Sequence, residues 1–183
     1  EITRKISLKT HAPAAFATLL AGGSCFVSLG EDLFDADYAW HYMRRIKVVN
    51  MGVTYTSAVA TLPSTINCTL TLAQDAIRTQ PRHSGEGAPD VQHTNVVSMV
   101  ASTQQTAYLP SQSATYTGMF TIDFLKDEQY FPFEGSGVIS EWRILMPMSA
   151  SFASTVDDIW LQIKYTAQGE PPAASDPLVI ATP

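Results

Sequence analysis

The chain has 183 residues, 45% of them apolar and only 15% charged, with a formal net charge of −6. A length of that order buries roughly 70% of its unfolded surface in one core without a disulfide or metal staple, and so uncharged a composition is the opposite of a disordered chain. The acidic balance argues against nucleic-acid binding, which needs clustered Lys and Arg, and no apolar stretch approaches the ~20 residues that span a bilayer, so no membrane contact is expected.

Strict alternation, the mark of half-buried strands, is the commonest pattern along the chain. Ile2, Ile6 and Leu8 fall on one face, with Thr3, Lys5, Ser7 and Lys9 on the other. A short helix follows, in which Phe16, Leu19 and Leu20 have helical spacing, Pro13 suits the first turn and Gly22 the stop. Cys25, Val27 and Leu29 resume period two. The stretch from Glu31 to Tyr42, EDLFDADYAWHY, mixes acids and aromatics without a clean period and reads as an ordered connection. From Met43 to Tyr55 the chain is strand again, with Ile46 and Val48 on one face and Arg45, Lys47 and Val49 on the other. Ile66, Cys68, Leu70 and Leu72 alternate with Asn67, Thr69 and Thr71.

Residues 79–95 hold two Pro, two Gly and two His and read as an exposed loop. In the second half Phe120, Ile122 and Phe124 alternate with polar residues, Trp142 and Ile144 share a face opposite Arg143 and Leu145, and Ile159, Leu161, Ile163 and Tyr165 interleave with Trp160, Gln162, Lys164 and Thr166. The last fifteen residues, GEPPAASDPLVIATP, are Pro-rich and extended unless something ties them down. No βαβ rhythm appears. The expectation is an all-β fold, an antiparallel β-sandwich with one short helix near the N-terminus and irregular connections. Residues 1–168 form the sandwich and 169–183 a Pro-rich tail. The chain opens on Glu1 directly within a strand pattern and reads as a piece of a longer polypeptide.

Candidate chemistry is sparse. Asp35, Asp37 and His41 lie on one connection and fall short of the three or four convergent ligands, with supporting partners, that a metal site needs. The plainer assignment turns the acids towards Arg44 or Arg45 and packs His41 between Trp40 and Tyr42. His83 and His93 fall in the exposed loop. Glu134 and Glu141 are the one pair that a glycosidase could use, if held about 5–10 Å apart across a cleft, but the intervening glycines leave their separation open. Cys25 and Cys68 lie in apolar alternating runs, where Cys behaves as a small buried hydrophobe, and a bond between them stays open. No GxSxG, HExxH, P-loop or dinucleotide fingerprint is present. The residues therefore call for no cofactor, no metal and no catalytic group.

Four long motifs carry more information. FDADYAWHYMRRIKVV (Phe34 to Val49), INCTLTL (Ile66 to Leu72), YFPFEGSGVISEWRILMP (Tyr130 to Pro147) and VDDIWLQIKYTA (Val156 to Ala167) occur in this order. Together they resemble the C-terminal region of the A subunits of bacterial Tc insecticidal toxin complexes, and ITRKISL and SCFVSLGEDLFD are similar as well. The resemblance implies a secreted, extracellular bacterial toxin whose A subunit is a pentamer that forms a translocation channel. Its last domain is a non-catalytic β-sandwich that docks the B component, and B with C encloses a toxic polypeptide. Docking opens a β-propeller gate in B. The partners so implied are the B component and other A-subunit copies.

For the interface, the residue reading selects Trp160, Gln162 and Lys164 on the polar face of the last strand, with Lys47 and Arg45 from the basic cluster, since Trp and Arg are frequent binding anchors. Tyr38, Tyr42, Phe131, Phe133 and Trp142 are expected in the inter-sheet core, and Pro132 and Gly135 to fix backbone angles. Two other functions are weighed beside docking: a carbohydrate-binding sandwich with exposed aromatics in a row, and a glycoside hydrolase using Glu134 and Glu141.

Overall fold

The computed structural model describes residues 1–56, 67–79, 96–99, 105–110, 118–120 and 133–169. In chain order these form β1 (Ile2–Ser7), α1 (Leu8–His11), α2 (Pro13–Gly22), β2 (Ser24–Leu29), α3 (Glu31–Tyr38), β3 (Tyr42–Tyr55), β4 (Asn67–Arg78), β5 (Val96–Met99), β6 (Gln105–Pro110), β7 (Gly118–Phe120), β8 (Ile139–Leu145), α4 (Ala150–Ala153) and β9 (Val156–Gln168). The strands make two antiparallel sheets, one in the order β1-β9-β3-β7 and the other β2-β8-β4-β5, with β6 also paired to β4. The all-β expectation holds.

Alternation explains which side chains meet between the sheets. The first sheet turns Ile6, Ile46, Met51, Val53, Ile159, Leu161, Ile163 and Tyr165 inward, and the second turns in Cys25, Val27, Leu29, Cys68, Leu70, Leu72, Trp142 and Ile144, all within one buried cluster. Met51 and Cys68 touch across the sandwich, sulfur to sulfur at 3.6 Å. Trp142, the largest fully buried side chain, meets Phe133 edge-on at 4.8 Å. Its Nε1–H donates to Ser140 Oγ at 2.8 Å, and Ser140 Oγ–H donates in turn to Val138 O. A buried indole therefore keeps its polar atom satisfied. Phe133 has φ +72° and is followed by Gly135 at +85°. This turn holds a bulky residue in a left-handed conformation because its ring is locked in the core. Pro132 lies outside the described residues.

The two cysteines are free and buried. Both β2 and β4 pair with β8, which runs between them. That puts them roughly 10 Å apart at ordinary strand spacing, too far to bridge.

Several sequence expectations need correction. Leu8 begins α1 rather than ending β1, and Ser7 caps that helix, its Oγ accepting from Thr10 N–H. The helix opened by Pro13 stops with Gly23 in the left-handed region, one residue beyond Gly22. The stretch read as an ordered connection contains α3, with Glu31 and Asp32 in its first turn, where acids favour the helix dipole. There are thus four short helices among the described residues instead of one. In β3 a register shift between Ile46 and Val48 reverses the phase, so Val49 is buried alongside Ile46 and Val48 is not. A second shift between Leu72 and Gln74 in β4 buries Asp75 and Ile77 after Leu72. Tyr38 is 40% exposed and Tyr42 half-buried, so neither anchors the core; Phe131 lies outside the described residues. Of the loop expected over 79–95, only Thr79 is described, and residues 170–183 of the tail also lie outside.

At the margin of the second sheet, Met146 N–H donates to Gly23 O at 2.7 Å. By antiparallel alternation Cys25, Val27 and Leu29 then aim their backbone groups at β8, while those of Ser24, Phe26 and Ser28 point away from it. His11 Nε2 lies 3.0 Å from Ser28 O and donates to it.

Candidate protein-docking face

The outward face of the first sheet is built by the polar half of each alternating strand. Register places Ser7, Trp160 and Gly52 side by side, then Lys5, Gln162 and Asn50, then Thr3, Lys164 and Val48. Trp160 does not stand free: it is 7% exposed. Its six-membered ring lies so close over Gly52 that a β-carbon there would be 2.1 Å from Trp160 Cζ2. Lys5 Nζ sits over the ring, 4.0 Å from its centroid, a cation–π contact. The indole is a floor that holds Lys5.

Lys47 and Lys164 converge on one carboxylate. Glu1 Oε1 is 2.5 Å from Lys47 Nζ and Oε2 is 2.9 Å from Lys164 Nζ. The hydrogen bonds from Lys47 and then Lys164 pull the Glu1 carboxyl down from 4.5 to about 2. Three lysines against one glutamate leave this part of the face positive on a molecule whose net charge is −6. Asp158, further along the same strand, accepts the Lys9 backbone N–H at 3.1 Å. Arg45 sits at the margin, where its Nη1 donates to Gly135 O at 2.9 Å.

Of the five interface residues expected from sequence, Trp160, Gln162, Lys164 and Lys47 come together, and Arg45 is pinned to the turn beside them. Sequence reasoning passed over Lys5, Glu1 and Gly52. Lys5 was already on an outward position, and a glycine inside a strand signals close approach of another group; the cross-strand register that joins them is not written in any one segment.

Arg44 is structural. It is 3% exposed, and its Nη2 donates to Asp35 Oδ1 at 2.6 Å and to Tyr38 O at 2.7 Å. Glu31 Oε1 lies 3.8 Å from Arg44 and 2.5 Å from Arg78, which is 2% exposed. The buried ions thus tie α3 to β3 and β4. Asp37 pairs with Arg4, and His41 stacks on Tyr38 with Trp40 at its edge. Among the described residues no group of three or more His, Cys, Asp or Glu could hold a metal ion.

The family described as the Tc toxin complex TcA C-terminal TcB-binding domain matches residues 1–167. The chain belongs to that family. Toxin subunit YenA2 of Yersinia entomophaga is similar to it, 31% identical over 176 residues, covering 91% of this chain but 12% of the subunit. Among solved structures it is similar to a chain in the cryo-EM structure of Yersinia pseudotuberculosis TcaA-TcaB, at 16% identity and TM-score 0.49, over 92% of this chain and 10% of that one. In this TcB-binding domain the two glutamates weighed as a hydrolytic pair sit on different elements, Glu134 in a turn and Glu141 on β8. Glu134 is exposed in a turn whose Gly135 N–H donates to Ile46 O of the first sheet. Glu141 is on the outward side of the second sheet, registered with Ser28 and Gln74, beside a cleft of about 210 Å³ that it helps to line. No described helix of this TcB-binding domain is long and apolar enough to cross a membrane.

Proposed function

We propose that this TcB-binding domain is a non-catalytic docking module that grips the B component of a Tc toxin through the outward face of its four-stranded sheet. The observation that carries the reading is the family match, which runs unbroken over residues 1–167 and so takes in both sheets. The face supplies the grip. Lys5, Lys47 and Lys164 present a local positive field that suits an acidic partner surface, and such fields steer association and set its salt dependence. Trp160 contributes by fixing Lys5 and Gln162 by offering a neutral hydrogen-bonding group between the lysines, with Arg45 at the rim. Residues 1–168 are the docking unit and 169–183 a separate segment.

In the full toxin, by this reading, an A subunit of which this chain is a part assembles as a pentamer and is secreted. Docking then opens the propeller gate of the B–C shell, and cargo passes into the channel. The decisive measurement is calorimetric titration of the chain with purified B component. Binding is expected, with Lys5→Glu/Lys164→Glu weakening it on the order of ten-fold and flattening its dependence on salt. Failure of the unaltered chain to bind the B component would overturn the docking reading. Equal affinity in the folded double variant would move the interface off this face.

A further inference from the structure

Glu1, Thr3 and Lys5 alternate outward along the start of the chain, and Lys164 stands opposite Thr3 on β9. On the other side of β9 the register sets Tyr165 against Ile46 and Lys164 against Val48, so Lys47 is the extra residue of the bulge in β3. A bulge re-aims the side chain it inserts. Here it brings Lys47 up beside Lys164, two ammonium groups where regular pairing would leave one. The Glu1 side chain reaches over β9 and lies between them, with Oε1 2.5 Å from Lys47 Nζ and Oε2 2.9 Å from Lys164 Nζ. Each ammonium takes its own oxygen. The pair of lysines is a cradle fitted to one carboxylate.

The cradle is open. Glu1, Lys47 and Lys164 have side chains 40–42% exposed, in contrast to Arg44 and Asp35, which are sealed in. Exposed ion pairs contribute little to stability and weaken with salt, so nothing locks Glu1 in place. Acid does not vacate the cradle either, because the hydrogen bonds from Lys47 and Lys164 keep this carboxyl ionised far below neutral pH. What can take its place is another carboxylate.

We infer, building on the docking reading of this face, that Glu1 is a placeholder in a carboxylate-binding cradle, and that docking exchanges it for an Asp or Glu side chain of the partner. In the free domain Glu1 offsets the repulsion between the two ammonium groups. In the complex the partner's acid does so, with both charge pairs conserved. A neutral or basic group at that place would not compensate for the loss of Glu1, so the cradle selects for acids. The placeholder also competes with the partner, and its removal strengthens docking.

Calorimetry on the 183-residue chain tests the exchange. Glu1→Gln should bind the B component roughly two- to five-fold more tightly than the unaltered chain, the scale of an exposed ion pair. Asp157→Asn, at the far end of β9, changes the net charge equally and should bind as the unaltered chain does. No gain in Glu1→Gln, or an equal gain in Asp157→Asn, would overturn the exchange. An acetylated tetraglutamate peptide, followed by NMR, probes the cradle without the B component. It should move the Glu1 carboxyl carbon together with the Lys47 and Lys164 ε-carbons, and bind Glu1→Gln more tightly. Lysine signals that stay put, or that move while the Glu1 carbon does not, would sink the inference. Should the B component ignore the unaltered chain, the docking reading falls and the peptide alone decides whether the cradle exchanges carboxylates.

Discussion

At the scale of single residues, Gly52 and Trp160 decide the shape of the lysine face. No side chain fits between β3 and the indole, so Gly52→Ala has to lift the ring. The expected cost is about 1–3 kcal/mol, with a red shift of tryptophan emission as Trp160 meets water; denaturant titration followed by fluorescence measures both. Unchanged emission and midpoint would show that the ring has slack. Glu1 gives a second expectation, about pH. Its folded pKa of about 2 lies below the ordinary 4.5, so the folded state releases this proton more readily than the unfolded chain. Its contribution to stability is complete above pH 4.5 and fades as pH falls through about 2. Carbon-13 titration of the Glu1 carboxyl should show that low midpoint, and Lys47→Ala and Lys164→Ala should each raise it, because both lysines hydrogen-bond the carboxylate.

At the scale of elements, α3 shows why part of the fold was legible and part was not. The runs that became β2, β8 and β9 alternate cleanly because each has one face in the core, and all three were read in phase. Helix α3 buries Phe34 but turns Glu31 and Asp35, one turn apart, onto the buried Arg44. A helix whose inner face is ionic displays no apolar stripe, and hydrophobic periodicity has nothing to register. The bulge in β3 was hidden for the converse reason. Ile46, Val48 and Val49 are all apolar, so a one-residue phase change among them leaves no mark on the pattern. In the candidate site, single outward positions were legible and their neighbours across strands were not. The ionic tie also makes α3 fragile. Arg44→Ala would take the guanidinium away from Asp35 in a dry setting and is expected to cost about 3–5 kcal/mol. Lysine should not restore the loss in full, since the guanidinium reaches Asp35 and the Tyr38 carbonyl through Nη2 while Nη1 faces Glu31, a span that one ammonium does not cover. Thermal melts of the two variants check this, and a melt unchanged in Arg44→Ala would show the pair to be dispensable.

At the scale of the whole molecule, the sulfurs report on how tightly the two sheets close. Burial pushes the Cys25 thiol up to about 11, and burial, with a smaller electrostatic contribution from Cys25, pushes Cys68 up to about 12. Neither should react with a disulfide reagent until the sandwich opens, so labelling rates ought to track global stability through a denaturant series. Fast labelling in native buffer would mean that the sheets part locally. The contact between His11 and Ser28 has a consequence for crowded copies. A foreign strand seeking to extend the second sheet beyond β2 would look for a vacant acceptor at Ser28, and an imidazole already occupies it. Such a newcomer would have to evict the ring before its own amides could be satisfied. The histidine thus disfavours growth of the sheet past β2 at this position.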